Sequence, residues 1–580
     1  MRLVSLRKGS RTAFLGVCLL AVMAIFVVRL FYLQIIKHDD YVAQSNAEQI
    51  KPLTIPAQRG LIYAMDGDSP VPLVINQTVY TMFADPTTVT DTSKVLDTIR
   101  KVAGGNLRPN PEKLLAIKDS RYQVLATGLT HDQAQMIKDQ NLTGIGFQQE
   151  SQRVYPEGSL AAQTLGFVND AGVGQYGVEQ GMNTQLSGHD GLLKSVTDVS
   201  GVPLTIGNQN IDKPAQNGEN IALTIDRNVQ AYVEKALAAG LARSKAPDGS
   251  AIVMDPQTGH ILAMANLPSY DPSNYGAAAS DSAFQNAVIS TPYEAGSVVK
   301  SLTISMGINQ GVITPSSTYY NKGSIVVDGT TIQNASTTES LGTTTMQTAL
   351  TDSLNTGMVT IAERLGDGSN ITQSARNTIY DYFHDRFGFG QPTGIEAAGE
   401  SPGIIIAPNT VQGNAVRYSN MVFGQGMDIT MLQMASAFSS IINGGVYHDP
   451  TLVEGTVDSN GNLKPATAKP SHQVVSAATS AQIKNMLQVD RKGNGAKDPA
   501  GYDVGGKTGT SQALINGQYS FTQTTGTYIG FGGTSAAKYV IMIQVSGPGL
   551  NLQGAADASP IFGDISNWML KYLQLPPANS

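Results

Sequence analysis

An apolar run without a charge extends from Ala13 to Val28, and after Arg29 it resumes through Leu30-Phe31-Tyr32-Leu33 to near Ile36. A helix over residues 12–36 is long enough to cross a bilayer, and Arg29 near one interface can snorkel to the headgroups. Arg2, Arg7, Lys8 and Arg11 flank the run, with no acidic residue among them. Such a flank stays on the cytoplasmic side. Residues 1–11 therefore read as a cytoplasmic tail and everything after Lys37 as extracytoplasmic. A cleaved signal peptide would have a shorter apolar core closed by an A-x-A site, and none closes this one. The expectation is an uncleaved, single-pass anchor in the cell membrane.

Residues 41–219 alternate in short segments broken by turns. Val79-Tyr80-Thr81-Met82-Phe83 predicts a strand ended by Asp85-Pro86. Pro111–Lys118 and His131–Gln140 predict short helices, and turns follow at Asp170-Ala171-Gly172 and Gly188–Gly191. Glu179, a lone carboxylate among turns, predicts a structural contact. Lys213-Pro214-Ala215-Gln216-Asn217-Gly218 reads as a linker.

From residue 220 the pattern lengthens. Ile221–Ile225 predicts a strand closed by the cap Asp226. A helix follows over about 228–243, with Val229, Val233, Ala236, Leu237 and Leu241 on one face. Ala251–Met254 and His260–Met264 predict a hairpin across Pro256-Gln257-Thr258-Gly259. From Tyr293 to about Gly445 the spacing is mostly helical, and Met431–Ile442 is apolar enough to be core. Tyr539–Val545 predicts a strand, and Ile561, Ile565, Met569 and Tyr572 mark a last helix. The economical fold is α+β: an antiparallel sheet covered by helices from both ends of 220–580, packed on a helical subdomain. Residues 41–219 would form a mostly-β pedestal.

Composition narrows the function. At 580 residues the chain needs more than one core. Charged residues are 14%, against about 25% in an average domain, and the net charge of −7 argues against a nucleic-acid partner. Cys18 is the only cysteine, and the seven histidines lack ligand spacing, so neither a metal nor a cofactor is expected.

The chemistry is carried by Tyr293-Glu294-Ala295-Gly296-Ser297-Val298-Val299-Lys300. On a helix, Ser297 and Lys300 share a face, so the amine can reach the hydroxyl. A serine hydroxyl is a weak nucleophile until a base takes its proton. Gly296 suits a tight start to the helix, where the Ser297 N–H is free to face a developing oxyanion. Alone this spacing is weak, since Ser5…Lys8 and Ser535…Lys538 repeat it. Only Ser297 is followed in order by Ser353-Leu354-Asn355 and Lys507-Thr508-Gly509-Thr510. The ordered set S-x-x-K, S-x-N, K-T-G marks β-lactamases and penicillin-binding proteins.

Further stretches extend the match: Arg59-Gly60-Leu61-Ile62, Arg153-Val154-Tyr155-Pro156, Gly177-Val178-Glu179, Leu223–Asp226, Thr258–Met264, Phe389–Gly394 and Gly424-Gln425-Gly426. Taken together in this order, they make the chain resemble the class B penicillin-binding proteins, membrane-anchored D,D-transpeptidases of the cell wall. The chain departs from that pattern in Ala64-Met65-Asp66-Gly67, where the family usually has Asp-Arg-Asn-Gly, and in Ala295, where it often has proline. With no glycosyltransferase domain ahead of the pedestal, the bifunctional class A type is not expected.

The resemblance implies a role for each site residue. Ser297 would attack the penultimate D-Ala carbonyl of a peptidoglycan stem peptide, and Lys300 would accept its proton. Ser353, beside Lys507, would relay a proton to the departing D-Ala. Asn355 would hold the peptide amide and orient Lys300. Thr508, Gly509 and Thr510 would bind the substrate end, with hydroxyls on its carboxylate. The N–H groups of Ser297 and Thr510 would form the oxyanion hole. A second stem peptide would resolve the acyl-enzyme, and β-lactams would acylate the same serine. The resemblance also implies a polytopic SEDS-type glycosyltransferase among its divisome or elongasome partners; the sequence does not choose between septal and elongation roles. Two other functions share the acylating serine: a serine β-lactamase, which needs fast deacylation, and a β-lactam sensor or inactive scaffold, which needs none.

Overall fold

The computed structural model describes residues 11–41, 50–196, 211–336, 338–515 and 518–578. Arg2, Ser5, Arg7 and Lys8, and with them most of the expected cytoplasmic tail, lie outside these residues. Two compact units are present, 1–58 with 188–218, and 59–187 with 219–580.

The first unit holds the helix Arg11–Phe31, continued by one wider turn to Ile36. Its apolar stretch Ala13–Ile36 has a mean hydropathy of 2.7, long and apolar enough to cross a membrane. The unit also holds the antiparallel strands Ile50–Ile55, Gly191–Val196 and Ile211–Lys213, side by side in that order. The stretch Lys213–Gly218 is not a free linker. Lys213 ends a strand, and Gln216 exchanges two backbone hydrogen bonds of 2.8 Å with His189. A turn-rich sequence still has backbone groups to satisfy, and here they find each other.

The second unit contains two sheets. One runs in the order Leu463–Pro465, Val453–Val457, Ile221–Asp226, Ile62–Asp66, Ser69–Ala84, Gln123–Leu129, and Ile145–Val154 also pairs with Ser69–Ala84. Ile221–Asp226 lies parallel to Ile62–Asp66, with Ile221 opposite Ile62. The strand expected to begin the second domain is therefore shared with the pedestal sheet: it lies between Val453–Val457 and Ile62–Asp66, and its residues 221–225 are buried on both faces, as in a sheet covered from both sides. The expected strand at 79–83 is the end of the longer Ser69–Ala84, and the two short helices run Pro111–Leu115 and His131–Lys138.

The other sheet is antiparallel, in the order Ile261–Leu267, Asp248–Met254, Ala537–Ser546, Gln518–Gly533, Asp503–Ile515. Alternation splits its side chains between two cores. Ala251, Val253, Tyr539, Ile541 and Ile543 face the terminal helices Arg227–Ser244 and Ser559–Tyr572, where Tyr232 stacks on Trp568 at 4.3 Å. Ile252, Met254, Val540 and Met542 face the helical subdomain, including the wholly buried Met431–Ile442. The subdomain also carries two small antiparallel pairs, Thr318–Asn321 with Gly342–Thr345 and Ser324–Val327 with Thr330–Gln333. The edge strand Asp503–Ile515 lies beside the Ser297 turn.

Glu179 is the structural contact expected of it. It is fully buried between Arg59, at 2.7 Å from Nε, and Arg153, at 2.8 Å from Nε. Arg153 also donates to the Gly60 carbonyl and to Asn76. The departure at 64–67 leaves this cluster intact. Ala64 is buried in its strand, and Asp66 accepts from Asn228 at 2.9 Å.

Candidate active site

Ser297 sits in a tight turn, Gly296–Val299, that leads into the helix Lys300–Asn309. The segment 424–429 holds this turn in place. Tyr293 and Ile429 exchange two backbone bonds of 3.0 Å, and Gly296 N–H donates to the Gly424 carbonyl at 3.0 Å. The Gly426 N–H donates to Glu294 Oε1 at 2.6 Å, and Tyr519 hydroxyl donates to the same oxygen at 2.8 Å. Burial pushes the Glu294 carboxyl up. Gly424 has φ +91, and a Cβ there would fall 2.0 Å from the Gly296 carbonyl oxygen, so only glycine lets the two loops meet.

Ser297 is half-buried. Among the described residues its Oγ has no hydrogen-bond partner, and its N–H, in the first turn of a helix, has no acceptor. The expected amine–hydroxyl bond is not made here. Lys300 is fully buried, and its Nζ donates instead to the Ser353 carbonyl at 2.6 Å and the Ser353 Oγ at 3.1 Å. Ser353 presents both oxygens together because it takes a left-handed conformation, φ +55, just before the helix Asn355–Arg364. Non-glycine residues hold such a conformation at a cost, and they cluster at functional sites. Asn355 donates to the Gln333 carbonyl at 2.8 Å, and the Lys300 amine donates to Ser353 and not to Asn355. As the first residue of its helix, it reaches out to the neighbouring strand Thr330–Gln333.

Lys507 is fully buried on the edge strand, opposite Ile529 and therefore on the face toward the helical subdomain. Desolvation and the Lys507 ammonium together hold the Lys300 amine well below the usual lysine range. The Lys507 Nζ donates to Thr508 Oγ1 at 3.3 Å. Gly509 lets the strand close on the serine turn, for a Cβ there would stand 3.0 Å from Val298 and 3.1 Å from the Ala295 carbonyl. Thr510 donates to Gln553 Oε1 at 3.3 Å and accepts from the Gly554 N–H at 3.2 Å. Its carbonyl lies toward Gly296, 3.1 Å from where a Cβ would be. In an extended strand the N–H of a residue points to the same side as its carbonyl.

The structure thus brings Ser297, Lys300, Ser353, Lys507, Gly509 and Thr510 together, with Asn355 and Thr508 at the rim. Ser535 is exposed in the bend before the strand of Lys538, and Ser5…Lys8 lies outside the described residues. The sequence reading missed three participants: Glu294, Gln553 and Asp490. The last is buried 4.0 Å from Lys507. A carboxylate in line with Ile483 and Leu487 on the apolar face of the helix Ala477–Gly493 was the available signal. No group of three or more His, Cys, Asp or Glu among the described residues could hold a metal.

The family described as "Penicillin binding protein transpeptidase domain" matches residues 249–567, and "Penicillin-binding Protein dimerisation domain" matches residues 54–223. The chain is 29% identical to "Penicillin-binding protein PbpB" of Mycobacterium tuberculosis, over 96% of this chain and 84% of that one. It is 27% identical to "Peptidoglycan D,D-transpeptidase FtsI" of Escherichia coli K12, over 98% and 92%. Among solved structures, a peptidoglycan synthetase from Bifidobacterium adolescentis is similar with TM-score 0.71 and 26% identity, over 92% of this chain and 98% of that one. Penicillin binding protein 3 of M. tuberculosis, complexed with aztreonam, gives 0.67 and 25%, over 91% and 98%.

Proposed function

Because this chain belongs to the penicillin-binding transpeptidase family, with the dimerisation domain of its class B members ahead of the catalytic one, we propose that it is a serine-type peptidoglycan D,D-transpeptidase whose nucleophile is Ser297. The observation that carries this reading is the buried amine of Lys300. It is held on Ser353 beside Lys507 and lies one helical turn from a serine whose Oγ and N–H are both unengaged.

The proposed steps follow from that arrangement. Lys300, neutral in the free enzyme, takes the Ser297 proton as Oγ attacks the penultimate D-Ala carbonyl. The Ser297 and Thr510 N–H groups face the developing oxyanion. The C–N bond to the terminal D-Ala then breaks, and the leaving amine receives a proton through Ser353. An acceptor amine from a second stem peptide attacks the ester, forms the cross-link and frees Ser297. Lys507, with the Thr508 and Thr510 hydroxyls, attracts the substrate carboxylate, and Asn355 holds the stem-peptide amide. A β-lactam, which resembles the D-Ala-D-Ala end, stops at the ester.

The reading includes the division into a membrane anchor at 12–36, a pedestal at 41–219 and a transpeptidase domain at 220–580. It places the N-terminus in the cytoplasm and the catalytic domain outside, with a SEDS-type glycosyltransferase as membrane partner. Full-length relatives named as D,D-transpeptidases favour this function over a β-lactamase or an inactive scaffold.

The test supplies the full-length protein with a donor stem pentapeptide and an acceptor amine. Wild type is expected to release D-Ala and form the cross-link, and Ser297→Ala to do neither while keeping its fold, since it loses one oxygen and no core volume. Cross-linking by Ser297→Ala would refute the assignment, and rapid turnover of penicillin would make the protein a lactamase.

The loop contact gives a second expectation. Gly424→Ala must move either the 424 loop or the serine turn. The roughly 1–3 kcal/mol of such backbone strain should slow penicillin acylation by about ten- to a hundredfold. An unchanged rate would mean that the turn does not depend on this contact.

A further inference from the structure

The helix Ala477–Gly493 lies along the edge strand with opposite charges in register. Lys484 pairs with Asp503 at 3.1 Å, and Asp490 faces Lys507 at 4.0 Å. The first pair is partly open to solvent. The second is sealed, with side chains 1% and 0% exposed. Asp490 Oδ1 has no hydrogen-bond partner, and the charge of Lys507 contributes most to compensating the buried carboxylate, ahead of the Asn494 side chain and Arg491. Its neighbour Arg491 is engaged elsewhere, in two 2.6 Å bonds to Asp498 and one of 2.8 Å to Tyr528. Asp490 also walls a cavity of about 380 Å³, together with Arg491, Asn494, Thr508, Tyr528 and Asn567. The lysine of the K-T-G stretch is thus faced from the neighbouring helix by a buried carboxylate.

We infer that Asp490 is a positioning residue of the acylation site: its buried carboxylate fixes the Lys507 ammonium and sets how much net positive charge bears on Lys300. This rests on the reading of Ser297 and Lys300 given above. The charged and titratable groups facing the cluster are Lys300, Lys507, Asp352 from the loop before Ser353, Arg491 with its partner Asp498, Tyr528, and Lys497 and Asp564 on the cavity wall. Asp490 acts against Lys507: the ammonium lowers the Lys300 amine, and the carboxylate partly restores it. Burial raises Asp490 itself to about 6, so the carboxylate is charged at neutral pH and loses its charge as the pH falls through that value.

The test is the second-order rate of penicillin acylation against pH for wild type, Asp490→Asn, Asp490→Leu and Asp490→Glu. Removing the negative charge should lower the Lys300 pKa further. The acid limb of the profile should then move to lower pH by roughly one unit in Asp490→Asn and in Asp490→Leu, and Asp490→Glu should keep the wild-type midpoint. The asparagine and leucine variants fill the site in different ways, so either one folded is enough. A purely structural role would lower the rate at every pH and leave the midpoint fixed, and that result would overturn the inference. Failure of the underlying reading looks different: wild type itself would then carry no adduct on Ser297.

Discussion

Lys300→Arg is expected to lower the rate of acylation by penicillin at pH 7 by roughly 10²–10⁴-fold, the range over which a positioned general base acts. An ordinary lysine titrates near 10.4 and is almost wholly protonated at neutral pH. For Lys300, burial and a second ammonium in the same pocket both hold the amine well below that range. Arginine has no neutral form in this range and cannot accept the Ser297 proton. Lys300→Met, which fits the same space without an amine, should be equally slow. It should also be no less stable near neutral pH. Below the unfolded value the unfolded chain binds a proton that the native state disfavours, so the buried amine costs stability in that window. For wild type the rate should rise with pH through the depressed Lys300 pKa. A Lys300→Arg protein that acylates at near the wild-type rate would remove Lys300 from the mechanism.

Glu179→Ala should destabilise the second unit by roughly 3–5 kcal/mol, the cost of breaking a buried ion cluster from one side. Arg59 and Arg153 have side chains only 10% and 5% exposed, and both converge on this carboxylate. Without it two guanidiniums stay buried with carbonyl and amide partners alone. Because the cluster ties the strand at Arg153 to Gly60, the loss should appear as a thermal midpoint several degrees lower. Acylation at temperatures where the fold persists should change little, since no atom of the cluster belongs to the Ser297 site. A midpoint within about one degree of wild type would show that the cluster is solvated and not a tie.

The residues explain what the sequence could reveal. The hairpin at 248–267 and the faces of the terminal helices follow from periodicity, because each buries one side against a large core, whereas the apolar helix Ala13–Ile36 follows from its length and hydropathy alone. The three motifs mark the site because their residue types are dictated by chemistry. The hairpin Ser324–Val327 with Thr330–Gln333 was also legible and was missed: Asp328-Gly329, with φ +43 and +79, is a turn that this dipeptide favours. Two facts were not legible. The direction of the Lys300 amine depends on Ser353 taking φ +55, a tertiary outcome. The placement of Ile221–Asp226 in the pedestal sheet depends on a parallel partner far away in sequence. Asp490 lies between these cases: visible as a misplaced charge, it gained meaning only beside Lys507.

The central claim is that Ser297 is the acylated nucleophile, and the most direct measurement is the mass of the penicillin adduct on proteolytic peptides of the full-length protein. The account predicts one stable adduct, on the peptide containing Ser297, absent in Ser297→Ala and formed slowly in Lys300→Arg. An adduct on another serine, or a wild-type protein that stays unlabelled at saturating penicillin, would contradict it.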